Sequence, residues 1–370
     1  MKRIAVLAAM VAVLMTATSG WVPAGAGMER PAVRSAPGAL EAVPVKSGLA
    51  YPAGFTFLPD GRIVYGERRT GRVMLLNPKN GNLSVMYTIS KVRSSGEQGL
   101  LGLAVDPGWP SKPFVYAYAT RQVESLQNQI LKIKVAKGEG ISRKIIWRLD
   151  TVAGTYHDGG HIDFGPDGKL YAVVGEGHNR ANAQDLTNDA GKVLRMNRNG
   201  SVPQDNPFED SRIFSYGLRN SFGFAFDPQS GTLWETENGP ECVDEINVEK
   251  AGENHAWGPN ETCSGTAPEN TNQDGPQPRI MPLVWFTPTI APTGLAFCEG
   301  CGISDSEGAL FFGAANTGEI REIELTGDRE GVASMAVVFD FAGAVLSMQA
   351  APNGGVYFSS PDTIYHLVEA

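Results

Sequence analysis

Five prolines set the frame of this chain. Pro59, Pro107, Pro166, Pro228 and Pro352 each sit in a turn between two short stretches of alternating apolar and polar residues. The units read "GFTFLPDGRIVYGE" from Gly54, "GLAVDPGWPSKPFVYAY" from Gly102, "HIDFGPDGKLYAVVGE" from His161, "GFAFDPQSGTLWETE" from Gly223 and "MQAAPNGGVYFSS" from Met348. Proline fixes φ at the turn and a following glycine or asparagine supplies the left-handed position, so each unit reads as a β-hairpin. The units recur at roughly 50–60 residues, and the last interval is about twice that, which calls for one more degenerate unit. "TGLAFCEGCGISDSEGALFFGAA" from Thr293 fits it. Six such units, with almost no helical periodicity, predict an all-β chain, a six-bladed β-propeller over residues 49–370. A β-sandwich or a right-handed β-helix would show shorter repeats. Propellers carry ligands at one mouth of the central channel, on loops held by rigid blades.

The ends and the cysteines bear on compartment. Lys2 and Arg3 precede an apolar run from Ile4 to Met15, and Ala24 and Ala26 form an A-x-A cleavage site. That layout predicts a signal peptide over 1–26 and an exported protein, extracellular or periplasmic. Residues 27–48 have no periodicity and read as a flexible leader. No later stretch approaches the ~20 apolar residues of a membrane helix, so no membrane span is expected. Cys242, Cys263, Cys298 and Cys301 form an even set suited to an oxidising compartment, and four cysteines allow three pairings. Cys242–Cys263 and Cys298–Cys301 are favoured, since each closes a short loop. The other reading of "CEGC", a zinc or redox CxxC, lacks a second CxxC or a nearby histidine. With 31 basic against 40 acidic side chains the net charge is −9, and no basic stripe is present to meet nucleic acid. Oligomeric state is not legible.

Two of the five histidines, His157 and His161, fall in "HDGGHIDF". The alternation of His161, Ile162, Asp163 and Phe164 is strand periodicity, and Gly159-Gly160 forbids the helix of an HExxH zinc site. His157 lies on the incoming loop, where an imidazole can act as general base near neutral pH, or simply face solvent. His161 reads as a blade residue paired with Asp163 or water.

The chain resembles the soluble quinoprotein glucose and aldose sugar dehydrogenases, the glucose/sorbosone dehydrogenase family, from about Tyr51 to Tyr365. The resemblance rests on "GEQGLLGLAVDP", "HDGGHIDFGPDGKLY", "AQDLTNDAGKVLRMNRNGSVPQDNPF", "YGLRNSFGFAFDP", "ENGPECVDEIN" and "TPTIAPTGLAF". It implies a secreted six-bladed propeller using pyrroloquinoline quinone (PQQ) and calcium, with a sugar or related alcohol as substrate and a separate electron acceptor. By resemblance His157 matches the catalytic base. Arg219 and Asn220 match residues at the quinone face, with Arg219 stabilising charge on the reduced cofactor. Glu97 falls where members often have Gln, near quinone or sugar, and would compete with His157 as base; Gln98 is its neighbour. The carbonyls of Gly239 and Pro240 match the calcium loop, and Asp244 and Glu245 a second calcium region. Read without the family, "ENGPECVDE" is an acidic turn, and Arg219 a partner for a blade carboxylate.

The chain departs from that pattern where members grip the PQQ carboxylates with a lysine and two arginines. Here those positions fall at about Asn316 and near Ala344 and Leu346. Arg321, Lys192 or another cation would have to substitute, or PQQ is not the ligand. Trp285 and Phe286 sit near the loop expected to meet sugar, or belong to the core. The leading expectation is a PQQ- and calcium-dependent dehydrogenase of an aldose or related hemiacetal. The alternatives are a non-redox propeller that binds carbohydrate or protein, and a calcium-dependent lactonase or esterase in which His157 activates water.

Overall fold

The computed structural model describes residues 39–150, 154–258 and 278–370. The signal peptide and the leader before residue 39 lie outside them, as does Cys263 of the expected Cys242–Cys263 pair.

Six antiparallel four-stranded sheets make a β-propeller. The first blade is Pro52–Phe57, Ile63–Glu67, Arg72–Asn77 and Asn82–Thr88, and the second Leu100–Val105, Phe114–Gln122, Leu126–Ala136 and Glu139–Asp150. The third is Ile162–Phe164, Leu170–Val174, Lys192–Met196 and Ile213–Tyr216, and the fourth Ser221–Phe226, Leu233–Glu237, Asp244–Glu249 and Val284–Phe286. The fifth is Pro292–Phe297, Leu310–Ala314, Glu319–Leu325 and Val332–Asp340. Ser347–Ala350, Val356–Ser359 and Thr363–Glu369 begin the sixth. Each proline-marked hairpin of the sequence is the inner pair of a blade, with partners such as Phe55 opposite Tyr65 and Asp163 opposite Tyr171.

The sixth blade corrects one expectation. Leu40–Ser47, read as part of a flexible leader, is its fourth strand and pairs antiparallel with Thr363–Glu369 from Leu40↔Glu369 to Ser47↔Thr363. Segments more than 300 residues apart therefore close one sheet and the ring. An outermost strand needs no strong apolar alternation, and Pro44 is tolerated because the register shifts between Pro44 and Lys46.

The inner strands pack edge-on around the axis, and glycine permits the approach. A Cβ on Gly54 would stand 2.2 Å from the Leu101 carbonyl oxygen, and one on Gly102 2.1 Å from that of Gly160. Apolar side chains from adjacent blades fill the space further out; Val64, Val73, Leu100, Leu103, Val115 and Leu131 share one buried cluster. Cys298 and Cys301 are disulfide-bonded across the degenerate turn of the fifth blade, with Cα atoms 5.1 Å apart. Among the described residues no helix is long and apolar enough to cross a membrane.

Candidate active site on the propeller axis

A cavity of about 520 Å³ takes residues from all six blades. Tyr51 and Arg68 come from the first, Glu97 from the second, His157 and His178 from the third, and Arg219 and Asn220 from the fourth. Asn316 and Leu346 complete it from the fifth and sixth. It is therefore built at the convergence of loops, where a propeller places chemistry.

His157 adopts a left-handed backbone, φ +64°, ahead of the Gly159-Gly160 bend. A Cβ on Gly175 would stand 2.3 Å from the His157 carbonyl oxygen, so glycine is required for the loop to seat. The ring Nδ1 lies 2.5 Å from Glu176 Oε1, and the Glu176 side chain is only 2% exposed. A carboxylate accepts the Nδ1 proton, which leaves Nε2 as the basic nitrogen. The backbone N–H of His157 donates to Glu97 Oε2 at 2.8 Å, and Asn220 Nδ2 donates to the same oxygen at 3.1 Å. Glu97, His157 and Asn220 are thus one hydrogen-bonded unit drawn from three blades.

Glu176 and His178 were not singled out in the sequence. The His178 ring lies 4.2 Å from that of His157 and stacks on Tyr156 at 5.9 Å. Burial and the neighbouring His157 push its pKa down. Both residues follow the second strand of the blade in "VVGEGHN", at the same end as the loop that carries His157. That shared end was the available signal.

Arg219 is held by its backbone N–H to Glu237 Oε1 at 2.5 Å and by its Nη1 to the Asn238 carbonyl at 2.9 Å. Its guanidinium also lies 5.4 Å from the Trp257 ring. Gln98 is fully buried and donates to the Gly154 carbonyl at 3.1 Å, so it braces the loop and does not line the cavity. His161 lines the cavity, with Phe224 against its ring at 4.7 Å. The expected pairing with Asp163 is replaced: Asp163 accepts from the Phe164 N–H at 2.7 Å. Burial pushes the His161 pKa down to about 4.

Asn238 lines the cavity, and Gly239 and Pro240 follow it outside the lining. Asp244 Oδ1 accepts from the Gly239 N–H at 3.1 Å, and Oδ2 from Ile290 and Ala291 at 2.7 Å each. Both its oxygens serve to pin this loop to the entry of the fifth blade. Glu245 is buried in the fourth blade opposite Glu237, and burial pushes its pKa up to about 7. Among the described residues no three His, Cys, Asp or Glu side chains come together to hold a metal ion. Trp285 and Phe286 are in the outer strand of that blade and do not line the cavity. Nor do the substitute cations: Arg321 pairs with Glu319 at 2.8 Å, and Lys192 is buried with its Nζ on the carbonyls of Asn182, Ala183 and Ala190.

The sequence pattern of the glucose/sorbosone dehydrogenases matches residues 49–366. The chain belongs to that family. Among solved structures, it is similar to the PQQ-bound form of the aldose sugar dehydrogenase of Streptomyces coelicolor. Identity there is 27%, with a TM-score of 0.77, over 91% of this chain and 99% of that one. It is likewise similar to a putative oxidoreductase (glucose dehydrogenase) of Thermus thermophilus, at 30% identity and TM-score 0.78 over 89% and 100%. An aldose sugar dehydrogenase of Escherichia coli is 24% identical over 91% of this chain and 94% of its own. Family membership supports a redox dehydrogenase with a small sugar or alcohol substrate.

Proposed function

We propose that the protein is an exported, PQQ- and calcium-dependent dehydrogenase that oxidises an aldose or related hemiacetal. The observation that carries this reading is His157, oriented by the buried Glu176, on the wall of the same cavity as Arg219 and Asn220. The lining suits an anionic heterocycle: Arg68 and Arg219 are cations on its wall, beside the Asn220 amide. The carbonyls of Gly239 and Pro240, next to the cavity residue Asn238, would hold calcium, which favours oxygen ligands.

PQQ, when bound, supplies the hydride acceptor. The chain supplies the rest. His157 Nε2 takes the proton of the substrate hydroxyl, and Glu176 fixes the ring tautomer and stabilises the imidazolium that forms. The Arg219 guanidinium, preorganised by Asn238, favours negative charge developing beside it. Glu97 holds the His157 loop and Asn220 in register. A second reading, a propeller that binds carbohydrate or protein without redox chemistry, draws on uncharged Asn316 and Leu346 on the wall.

Calorimetry of the purified protein with calcium and PQQ, followed by an aldose panel, separates the two. Binding with sugar-dependent bleaching of the quinone absorbance is expected, and His157→Ala should keep binding while losing roughly 10²–10⁴ in turnover. No binding at micromolar PQQ would leave the non-redox reading.

A further inference from the structure

Arg68 is held as a recognition group is held, yet among the described residues nothing neutralises it. Its backbone N–H donates to the Tyr51 carbonyl at 3.1 Å, and its guanidinium lies over the Tyr51 ring, 4.4 Å from the centroid. One Nη donates to the Gly96 carbonyl at 2.5 Å. The neighbouring blade makes room for its stem, because a Cβ on Gly99 would stand 2.4 Å from Arg68 Cγ. The side chain is therefore fixed by a ring, a carbonyl and a glycine. None of these carries negative charge, and among the described residues no carboxylate pairs with it. Its Nε is buried with no hydrogen-bond partner among the described residues.

The group faces the axial cavity, where the one other guanidinium among the described residues, Arg219, already donates to the Asn238 carbonyl. A preorganised planar guanidinium on the cavity wall matches a carboxylate, which accepts charge-assisted N–H···O bonds from it. Arg69 makes a useful contrast. It is exposed, lies 5.6 Å from the same ring and does not line the cavity.

We propose that Arg68 is the carboxylate-binding cation of this site, gripping a carboxylate of the quinone cofactor from the first blade. The proposal rests on the quinoprotein reading above. It places the anion's anchor on the wall opposite the fourth-blade Arg219, so the two guanidiniums bracket the ligand from separate blades.

The test is calorimetric and needs no turnover. PQQ is titrated, with calcium present, into the wild-type protein and into Arg68→Ala, Arg68→Gln and Arg69→Ala. Removing one charge-assisted pair should weaken PQQ binding by roughly 10–100-fold in both Arg68 variants, and Arg69→Ala should stay within about twofold. The trimethyl ester of PQQ, which carries no carboxylate charge, should bind wild type and Arg68→Gln alike. Arg68→Gln keeps a planar head and guards against loss of folding, which thermal melts report. Equal PQQ affinity in wild type and Arg68→Gln would overturn the proposal and leave the quinoprotein reading standing. An equal loss for PQQ and its ester would also overturn it, by assigning Arg68 to the shape of the wall. Failure of the wild type to bind PQQ would remove both readings.

Discussion

The imidazole of His157 is constrained at both ends: its backbone N–H by Glu97 and its Nδ1 by Glu176. Its left-handed φ, shared by His178 at +60°, is a conformation that L-residues adopt only when surroundings impose it. Glu176→Gln tests whether the carboxylate acts on the ring or only fills space. A neutral amide can donate to Nδ1 and impose the wrong tautomer, so turnover should fall by roughly 10²–10⁴ with KM little changed. Unchanged turnover would reduce Glu176 to packing. His161 gives a stability prediction of definite sign. Its pKa drops from 6.5 to about 4 on folding, so between those values the unfolded chain holds a proton that the folded chain does not. The neutral ring's contribution is intact above pH 6.5 and is lost as pH falls towards 4, by about 3 kcal/mol at most. Melting temperatures of His161→Leu should therefore depend less on pH across that window than those of the wild type. Parallel curves would contradict this.

Among the elements, the hairpins and the closing strand behave differently. Each inner pair is set by its own turn, and "PDG" or "DPQSG" between alternating stretches is enough to specify it. Leu40–Ser47 has no turn to its partner, because its pairing joins residues far apart in the chain. Its pattern is half-exposed, with Pro44 inside it, and this is why it read as leader. Without it, the Thr363–Glu369 strand would present an open edge. A chain starting at residue 49 should melt about 10 °C lower than one starting at residue 39, or aggregate. Equal melting temperatures would show that the ring does not depend on this strand. The degenerate fifth turn was legible only by interval, since its proline is missing and the Cys298–Cys301 disulfide constrains it instead.

Across the whole molecule, fold and site were legible to different depths. The six blades follow from local chemistry: alternation fixes which face is buried, proline and glycine fix the turns, and glycine on an inner strand admits the next blade. Ordered motifs also pointed to His157, Arg219 and Asn220, and the cavity contains all three. They did not show that Gln98 turns away, that Asp244 spends both oxygens on backbone amides, or that Arg321 and Lys192 are engaged elsewhere. Nor did they bring forward Glu176, His178 or Arg68. The physical reason is that a propeller's site is made of contacts between blades. Its residues meet only when the ring closes, at distances no interval in the chain encodes. The sequence by itself determined the hairpins, their number and the family. Only the tertiary structure decided which charged groups face the axis and which are satisfied before any ligand arrives.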